Sequence, residues 1–192
     1  MLTQPIRDKK QASALAIYFR DKGQYRNFTL IIMGIYTALR ISDLLSLSWS
    51  DVYDFRNGCI KDVLHLSEKK TGKATSIALN KEIVTALEQL FTHTRATPHD
   101  AIFKSQKTGK AIGRTQAYRI IRNAADALAF QNRVSCHSLR KTLGYHAWNS
   151  GVSPAVIMDI YNHSSLAVTK RYLGVTQDDK NKVFLELDMT NY

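Results

Sequence analysis

The hydrophobic positions in the first forty residues recur at intervals of three and four, which is the period of an amphipathic α-helix. Asp8 can cap a first helix, and Gly23 marks its end. A second helix is predicted from Tyr25, with enough apolar residues to place it in the protein interior. Those residues are Phe28, Ile31, Ile32, Ile35 and Leu39. We therefore expect a buried helix that ends close to Arg40.

The hydrophobic period changes in the segment that begins at Cys59, where β-branched and apolar residues flank the sequence Lys-Lys-Thr-Gly-Lys. Gly72 supplies the turn, so the segment predicts a β-hairpin or a small sheet. Three lysines, Lys69, Lys70 and Lys73, lie at or beside its tip. A lysine-rich tip is usually a solvated turn, but it can also reach into a DNA groove. Both interpretations stay open at this point.

Helical periodicity returns after the hairpin and continues to the C-terminus. Capping residues and glycine stops predict four further helices and then a last amphipathic one. They begin at Asn80, at about residues 115 and 138, at Pro154 and at about residue 176. On one side of the last helix, Val183, Phe184 and Leu187 would be exposed. The predicted fold class is mainly α with a small antiparallel β-sheet or hairpin, in a single domain over residues 1–192.

Length and composition exclude several classes of protein. The chain has 192 residues, which fits one domain with its own core. No apolar run reaches the roughly eighteen residues that a membrane span requires, and the polar N-terminus does not resemble a signal peptide. Cys59 and Cys136 lie far apart and in no metal-ligand spacing, so both are interpreted as free thiols. We expect a cytoplasmic protein.

The net charge is the most informative feature of the composition. The chain carries 27 lysine and arginine residues against 16 acidic ones, a net charge of +11. Such a protein attracts polyanions, and nucleic acid is the most specific candidate. A soluble protein that is merely basic is the alternative, and charge alone does not distinguish the two.

Four side chains between residues 137 and 172 could surround a single anion. His137 and Arg140 are three residues apart, so a helix would direct both from the same face. His163 follows an asparagine and precedes two serines, a sequence typical of a helix start. Tyr172 lies nine residues further on. On successive short helices, these side chains predict a binding site for one phosphate.

Arg40 interrupts an apolar stretch, and Ser42 can cap the short helix that follows. An arginine at the end of so apolar a helix needs an anionic partner, and Asp43 is the local candidate. Two interpretations follow. Arg40 either forms a salt bridge that ties two helices together, or it is held by Asp43 with its guanidinium presented to a phosphate.

Taken together and in order, these residues resemble the tyrosine recombinases, or phage integrase family. The resemblance extends from about residue 10 to residue 175. Each motif alone is weak, because a His-x-x-Arg sequence is common by chance, and the ordered set carries the resemblance. The motifs are Arg40 in TALRISDLL, the lysines in KKTGK, His137 and Arg140 in HSLRKT, His163 in NHSS and Tyr172 in TKRY.

The resemblance implies the tyrosine-recombinase catalytic-domain fold and a site-specific recombinase or integrase, which cleaves and rejoins DNA through a 3′-phosphotyrosyl intermediate. It also implies a role for each matching residue. The implied site residues are Tyr172 as the nucleophile, Arg40 and Arg140 as the pair that holds the scissile phosphate, Asp43 as the support of Arg40, His137 and His163 as the active-site histidines, and Lys70 as the hairpin lysine. Lys69 and Lys73 are alternatives to Lys70.

The chain departs from the family pattern at several positions. Asn162 stands where the family commonly has glycine, and asparagine tolerates the left-handed backbone conformation better than most residues. Ala38 and Lys141 replace a frequent glycine and a frequent histidine. We expect no counterpart of the N-terminal helical domain that many members carry. The chain therefore resembles either the short recombinases that invert fimbrial promoters or a fragment of a longer integrase.

The resemblance also implies partners. These are double-stranded DNA, a homotetramer formed on that DNA from a protein that is monomeric alone, and accessory DNA-bending proteins. The last helix, residues 176–192, would dock on a neighbouring subunit, and the alternative is that it folds back on its own core. Bacterial, phage or mobile-element origin, with localisation at the nucleoid, is implied in the same way.

The sequence predicts a reaction that needs no cofactor. No carboxylate cluster is spaced for Mg²⁺, and no glycine-rich phosphate loop is present. Two other functions are compatible with part of the pattern. A type IB topoisomerase would share the arginines and the tyrosine but would relax supercoils without sequence preference. A DNA-binding protein with this fold and no chemistry would not need every catalytic position to be filled, and here all of them are.

Overall fold

The computed structural model describes residues 3–175, 181 and 184–186. Within the first of these ranges the chain forms nine α-helices and two small antiparallel sheets of two strands each. The helices are α1 Lys9–Arg20, α2 Tyr25–Tyr36, α3 Ile41–Leu44, α4 Trp49–Val52, α5 Lys81–Thr92, α6 Arg114–Ala127, α7 Cys136–Asn149, α8 Pro154–Tyr161 and α9 Leu166–Leu173. The strands are β1 Tyr53–Asp54, β2 Cys59–Ile60, β3 Val63–Ser67 and β4 Ala74–Ala78. The predicted fold class is confirmed.

Helix α2 lies at the centre of the molecule, as its apolar sequence predicts. Leu30, Ile31 and Met33 are completely buried, and α2 packs against α1, α5 and α7. Gly34 permits the contact with α7, because a Cβ atom there would come within 2.8 Å of Leu139 Cδ1. This packing brings the chain that leaves α2, which leads to Arg40, close to the helix that carries Arg140.

The lysine-rich segment folds as the predicted hairpin. Strands β3 and β4 are antiparallel, with Val63 opposite Ala78 and Ser67 opposite Ala74. Gly72 has a φ of +66° in the turn, a conformation that glycine adopts without steric cost. The hairpin tip is therefore a defined turn that projects from the sheet.

The ends of helices α7 and α8 are set by their capping residues. Helix α7 begins at Cys136, two residues before the predicted start, and Ser138 Oγ accepts a hydrogen bond from the N-cap amide Ser135 N at 3.1 Å. Helix α8 begins at Pro154, as predicted, and ends at Asn162 with φ +53°. Asparagine at this position thus adopts the left-handed conformation that the sequence suggested.

The predicted last helix, residues 176–192, falls mostly outside the described residues. The described residues 181 and 184–186 are helical. Phe184 is 82% exposed and Leu185 is 84% exposed. In the part of the chain that the structure describes, no helix is long and apolar enough to cross a membrane.

Candidate active site

Arg140 is a buried cation that is held by carbonyl oxygens. It is 4% exposed, and its guanidinium donates hydrogen bonds to Ala38 O and, at 3.4 Å, to Tyr161 O. Ala38 has a φ of +52°, and its carbonyl accepts the first of these bonds. Arg140 forms no ion pair with any described residue. Carbonyl oxygens do not neutralise the guanidinium, so its full positive charge is available to an anionic ligand.

Arg40 lies at the N-cap of α3 and is paired with a buried carboxylate. Its Nη1 donates to Glu68 Oε2 at 2.6 Å, and the Glu68 side chain is only 2% exposed. Thr71 Oγ1 donates to the same oxygen at 2.8 Å. The Arg40 side chain is 23% exposed, so part of the guanidinium still faces solvent. The hairpin that carries the lysines is thereby tied to Arg40.

The expectation that Asp43 is the partner of Arg40 is wrong. The helix begins at Ile41 rather than after Ser42, so Arg40 has an extended backbone and its side chain reaches the hairpin. Asp43 is 1% exposed, and its Oδ1 accepts a hydrogen bond from Lys69 N at 3.1 Å. Its Oδ2 has no hydrogen-bond partner among the described residues. Asp43 therefore supports the hairpin backbone rather than the guanidinium.

The electrostatic influence of both arginines reaches the same group of side chains. Burial alone would raise the pKa of Glu68, but hydrogen bonds from Thr71 and Arg40 and the charges of Arg40 and Arg140 hold it below its usual range. The charges of the same two arginines also contribute to the lowered pKa of His163, and they oppose the rise that burial causes in the pKa of Tyr172. The charges of Arg40 and Arg140 thus act on the same three side chains.

His163 is half-buried between two tyrosine rings. Its pKa is lowered by burial and then by the charges of Arg140 and Arg40, so the imidazole is neutral at pH 7. Its Nδ1 lies 3.0 Å from Thr169 Oγ1, and that hydroxyl lies 3.3 Å from Ser165 O. If the threonine donates to Ser165 O, then Nδ1 carries the imidazole proton and Nε2 is left as an acceptor.

Tyr172 lies on α9 with its hydroxyl turned into the site. Its ring contacts His163 edge to face, with 4.9 Å between centroids, and Lys141 Nζ lies 4.9 Å from its centroid. The hydroxyl is buried and makes no hydrogen bond of good geometry within the described residues. The pKa of Tyr172 is raised by burial, which outweighs the nearby charges of Arg140 and Arg40. In this state the phenol is therefore protonated at neutral pH.

His137 occupies the first turn of α7, one turn from Arg140 and on the same face. The side chain is exposed at the edge of the site. Its pKa is lowered by partial burial of the ring and then by the charges of Lys141 and Arg140. A neutral imidazole at this place can accept a proton or donate a hydrogen bond.

The hairpin lysines differ in their distance from the site. Lys73 Nζ donates to Asn162 Oδ1 at 3.3 Å, and both residues line a cleft of about 400 Å³ together with His163. Lys70 is exposed in the turn, and its side chain makes no hydrogen bond or ion pair with a described residue. Lys69 is exposed as well. The contact with Asn162 thus favours Lys73 as the candidate hairpin lysine of the site. In the sequence analysis Lys73 is an alternative to Lys70.

A larger cleft, of about 740 Å³, lies at the opposite end of α2. Its walls include Tyr25, Arg26 and His93, and no residue of the predicted site lines it. Size therefore does not identify the functional site in this protein. The clustering of cations, imidazoles and a phenol marks the candidate site.

Residues 7–179 match the model of the phage integrase family. The chain belongs to the phage integrase family. This result confirms the expected enzyme class, a tyrosine-type site-specific recombinase.

Individual relatives agree with this assignment. The probable integrase/recombinase YoeC of Bacillus subtilis (strain 168) is 36% identical over 178 residues, which cover 92% of each chain. The type 1 fimbriae regulatory protein FimE of Escherichia coli (strain K12) is 32% identical over 167 residues, which cover 84% of this recombinase and 80% of FimE. The XerH site-specific recombinase bound to its palindromic difH substrate has a similar fold, with a TM-score of 0.74 and 17% identity over 94% of this chain and 52% of XerH.

Two residues of the recombinase site were not predicted from the sequence. Glu68 follows Leu64 and Leu66 at intervals of two, so the alternation of β3, continued one residue past the end of the strand, places it on the buried side. A buried acid requires a cation, so this alternation was a usable signal. Tyr161 follows Ile157 by one helical turn on the buried side of α8, but no sequence pattern reveals what its hydroxyl binds.

Proposed function

We propose that this recombinase cleaves double-stranded DNA by attack of Tyr172 on a scissile phosphate held by Arg40 and Arg140. The observation that carries the proposal is the contact of the Tyr172 ring with His163, at 4.9 Å between centroids, where the charges of both arginines act on both side chains. The phenol oxygen forms a bond to phosphorus, and the bond between phosphorus and the 5′ oxygen breaks. The product is a 3′-phosphotyrosyl link and a free 5′ hydroxyl.

The two arginines stabilise the negative charge that develops on the phosphate oxygens in the transition state. Arg140 is rigidly placed by Ala38 O and Tyr161 O and keeps its charge. Arg40 is oriented by Glu68 and still faces solvent in part. A bound phosphate would therefore meet one fully available cation and one that is already partly compensated.

The phenol must lose its proton, because roughly one tyrosine in a thousand is ionised at pH 7 with a pKa of about 10. Burial raises the pKa of Tyr172 further in the DNA-free protein. His163, whose ring contacts Tyr172, is neutral and can accept the proton. His137 is the second candidate, since it lies one helical turn from Arg140.

The departing 5′ oxygen needs a proton, and a hairpin lysine supplies it. Lys70 is the candidate from the family resemblance, and Lys73 is the candidate from its contact with Asn162 beside His163. Rejoining reverses the step: a 5′ hydroxyl attacks the phosphotyrosine and the phenol leaves. One phosphoester replaces another, so no nucleotide is consumed, and we predict no requirement for metal or cofactor.

The partner is double-stranded DNA. The net charge of +11 supports it, and XerH, a protein of similar fold, is bound to a DNA substrate. We extend the proposal to a homotetramer on DNA, in which the segment 176–192 docks on a neighbouring subunit. The exposed Phe184 and Leu185, and the exposed Val156 and Ile160 on α8, supply apolar surface for such a contact.

A covalent-capture experiment tests the proposed chemistry. Nicked duplexes that tile the DNA flanking the gene are incubated with the recombinase, and denatured protein–DNA adducts are recovered and sequenced. We expect one enriched site with wild-type protein and none with Tyr172→Phe. Adducts of equal yield in the variant would contradict the role of Tyr172. Efficient relaxation of a supercoiled plasmid without the captured site would favour a topoisomerase instead.

The assembly proposal has its own test. Light scattering after gel filtration compares the intact chain with a truncation after Thr176, each alone and with the captured duplex. We expect the intact chain to form a tetramer only with DNA, and the truncated chain to bind DNA as smaller species. A tetramer of the same stability from the truncated chain would rule out docking through this segment.

A further inference from the structure

Tyr161 is completely buried at the end of α8, and its hydroxyl is bonded to the backbone of α7. The hydroxyl donates to Arg140 O at 2.6 Å and accepts from Gly144 N at 2.8 Å. Arg140 and Gly144 are four residues apart, so an α-helix ordinarily pairs this carbonyl with this amide. The phenol therefore bridges one step of the α7 ladder, and that step begins at Arg140.

The same tyrosine contacts the guanidinium at the other end of the Arg140 side chain. Arg140 Cζ lies 5.0 Å from the centroid of the Tyr161 ring, which is within the range of a cation–π interaction. Tyr161 O also accepts a hydrogen bond from Arg140 Nη2 at 3.4 Å. Both the backbone and the charged group of Arg140 are thus fixed by one residue.

Gly144 makes the space that the phenol occupies. A Cβ atom at Gly144 would lie 2.5 Å from Tyr161 Cε2 and 2.7 Å from the Tyr161 hydroxyl. Real Cβ atoms do not approach other atoms so closely, and the same Cβ atom would also lie 2.7 Å from Leu173 Cδ2 on α9. The Tyr161 ring can therefore occupy this position only because residue 144 has no side chain.

The Tyr161 ring also touches the other groups of the site. It stacks on His163 with 5.4 Å between centroids and an interplanar angle of 23°. It meets the Tyr172 ring at 5.2 Å and 53°. Tyr161 is therefore in contact with one phosphate-binding arginine, one histidine and the nucleophile of the proposed site.

We propose that Tyr161 is a positioning residue, which fixes the guanidinium of Arg140 for the phosphate by bridging α7 at Arg140 and Gly144. This inference rests on the proposed function. Tyr161 does not itself attack DNA: its hydroxyl is engaged by two backbone groups, and burial raises its pKa, so it stays a protonated donor. The hydroxyl sets the helix, and the ring supports the cation.

Tyr161→Phe tests the inference, because it removes the hydroxyl and keeps the ring. Tyr145→Phe is the matched control: Tyr145 is also buried, lies on α7, and its hydroxyl makes no hydrogen bond with a described residue. With the captured duplex at saturation, we expect the single-turnover rate of adduct formation to fall on the order of tenfold in Tyr161→Phe. The Kd for DNA should stay within about twofold of wild type, since Arg140 acts mainly in the transition state.

A second readout does not depend on DNA cleavage. The NMR signal of the Arg140 Nε–H group should shift or broaden in Tyr161→Phe and not in Tyr145→Phe. The inference would be overturned if Tyr161→Phe cleaved at the rate of the control or left the arginine signal unchanged. It would also be overturned if the loss of rate matched a loss of folded protein. If wild-type protein forms no Tyr172-dependent adduct, the proposed function fails, and the arginine signal still decides the role of Tyr161.

Discussion

The two regions that supply the arginines hold them in opposite ways. Arg40, at the N-cap of α3, is partly exposed and is paired with the buried carboxylate of Glu68. Arg140, between α7 and α8, is almost fully buried and meets carbonyl oxygens. In the first region the charge of Arg40 is balanced by Glu68 and remains accessible to solvent. In the second region Arg140 is buried and has no carboxylate partner among the described residues. Stability and catalysis should therefore respond differently to changes in the two regions.

Replacing either arginine by methionine should produce the largest effects. We expect the single-turnover cleavage rate to fall by on the order of 10²–10³-fold in each case, because each side chain stabilises transition-state charge. The free energy of unfolding should separate them. Arg40→Met should lower it by about 2–3 kcal/mol, since it leaves buried Glu68 without a cation. Arg140→Met should change it little.

Adduct assays and urea denaturation on the same preparations check both parts of this prediction. The contrast between the regions would be wrong if Arg140→Met were the more destabilising variant. Equal losses of stability would show that the carbonyl cage of Arg140 contributes as much as the Arg40–Glu68 ion pair.

The lysine that acts as the acid should have the next largest effect. We expect Lys73→Ala to slow cleavage by on the order of 10²-fold, the lower end for general acid catalysis. Lys70→Ala and Lys69→Ala serve as matched controls on the same hairpin. A substrate with sulfur at the bridging 5′ position has a thiolate leaving group that needs no proton. It should restore the cleavage rate only in the variant that lacks the lysine acting as the acid. Rescue of Lys70→Ala in place of Lys73→Ala would support the family resemblance over the observed contact.

Glu68→Gln should have a smaller effect on cleavage, about tenfold, because it removes the charged partner that orients Arg40. DNA binding should not weaken, since a negative charge is lost near the phosphate. Asp43→Asn is the control and should stay within roughly threefold of wild type, because its Oδ1 can still accept from Lys69 N. A faster Glu68→Gln enzyme would show that Glu68 competes with phosphate for Arg40.

The same variant has an expected pH dependence. The pKa of Glu68 is lowered in the folded protein, so its carboxylate stabilises the fold above the unfolded glutamate pKa of about 4.3. This stabilisation is lost as the pH falls through the lower folded value. Urea denaturation at pH 6 and at a series of lower pH values measures this difference. The free energy of unfolding should fall less steeply with decreasing pH in Glu68→Gln than in wild type.

The sequence was sufficient to predict the elements that depend on local patterns. Periodicity located α2, the hairpin and the helix that carries Arg140, while the cap Asn80 and the N1 proline Pro154 located helix starts. It did not predict which residues would pair across elements. Arg40 pairs with Glu68, twenty-eight positions away, and not with Asp43, because the N-cap backbone redirects its side chain.

The contacts of Tyr161 illustrate the same limit. A tyrosine on the apolar side of a short helix predicts burial and nothing more. Its bridge to Arg140 and Gly144 arises from the packing of α8 on α7, which depends on the absence of a Cβ at Gly144. Such contacts follow from tertiary packing, which the spacing of residues along one helix does not encode.

Peptide mapping of the covalent adduct tests the central claim most directly. Trypsin should release residues 172–180, YLGVTQDDK, in which Tyr172 is the sole tyrosine. We predict that mass spectrometry finds the nucleotide on this peptide, linked through its 3′ phosphate. A nucleotide on the peptide that contains Tyr145 and Tyr161, or a link through a 5′ phosphate, would contradict the account.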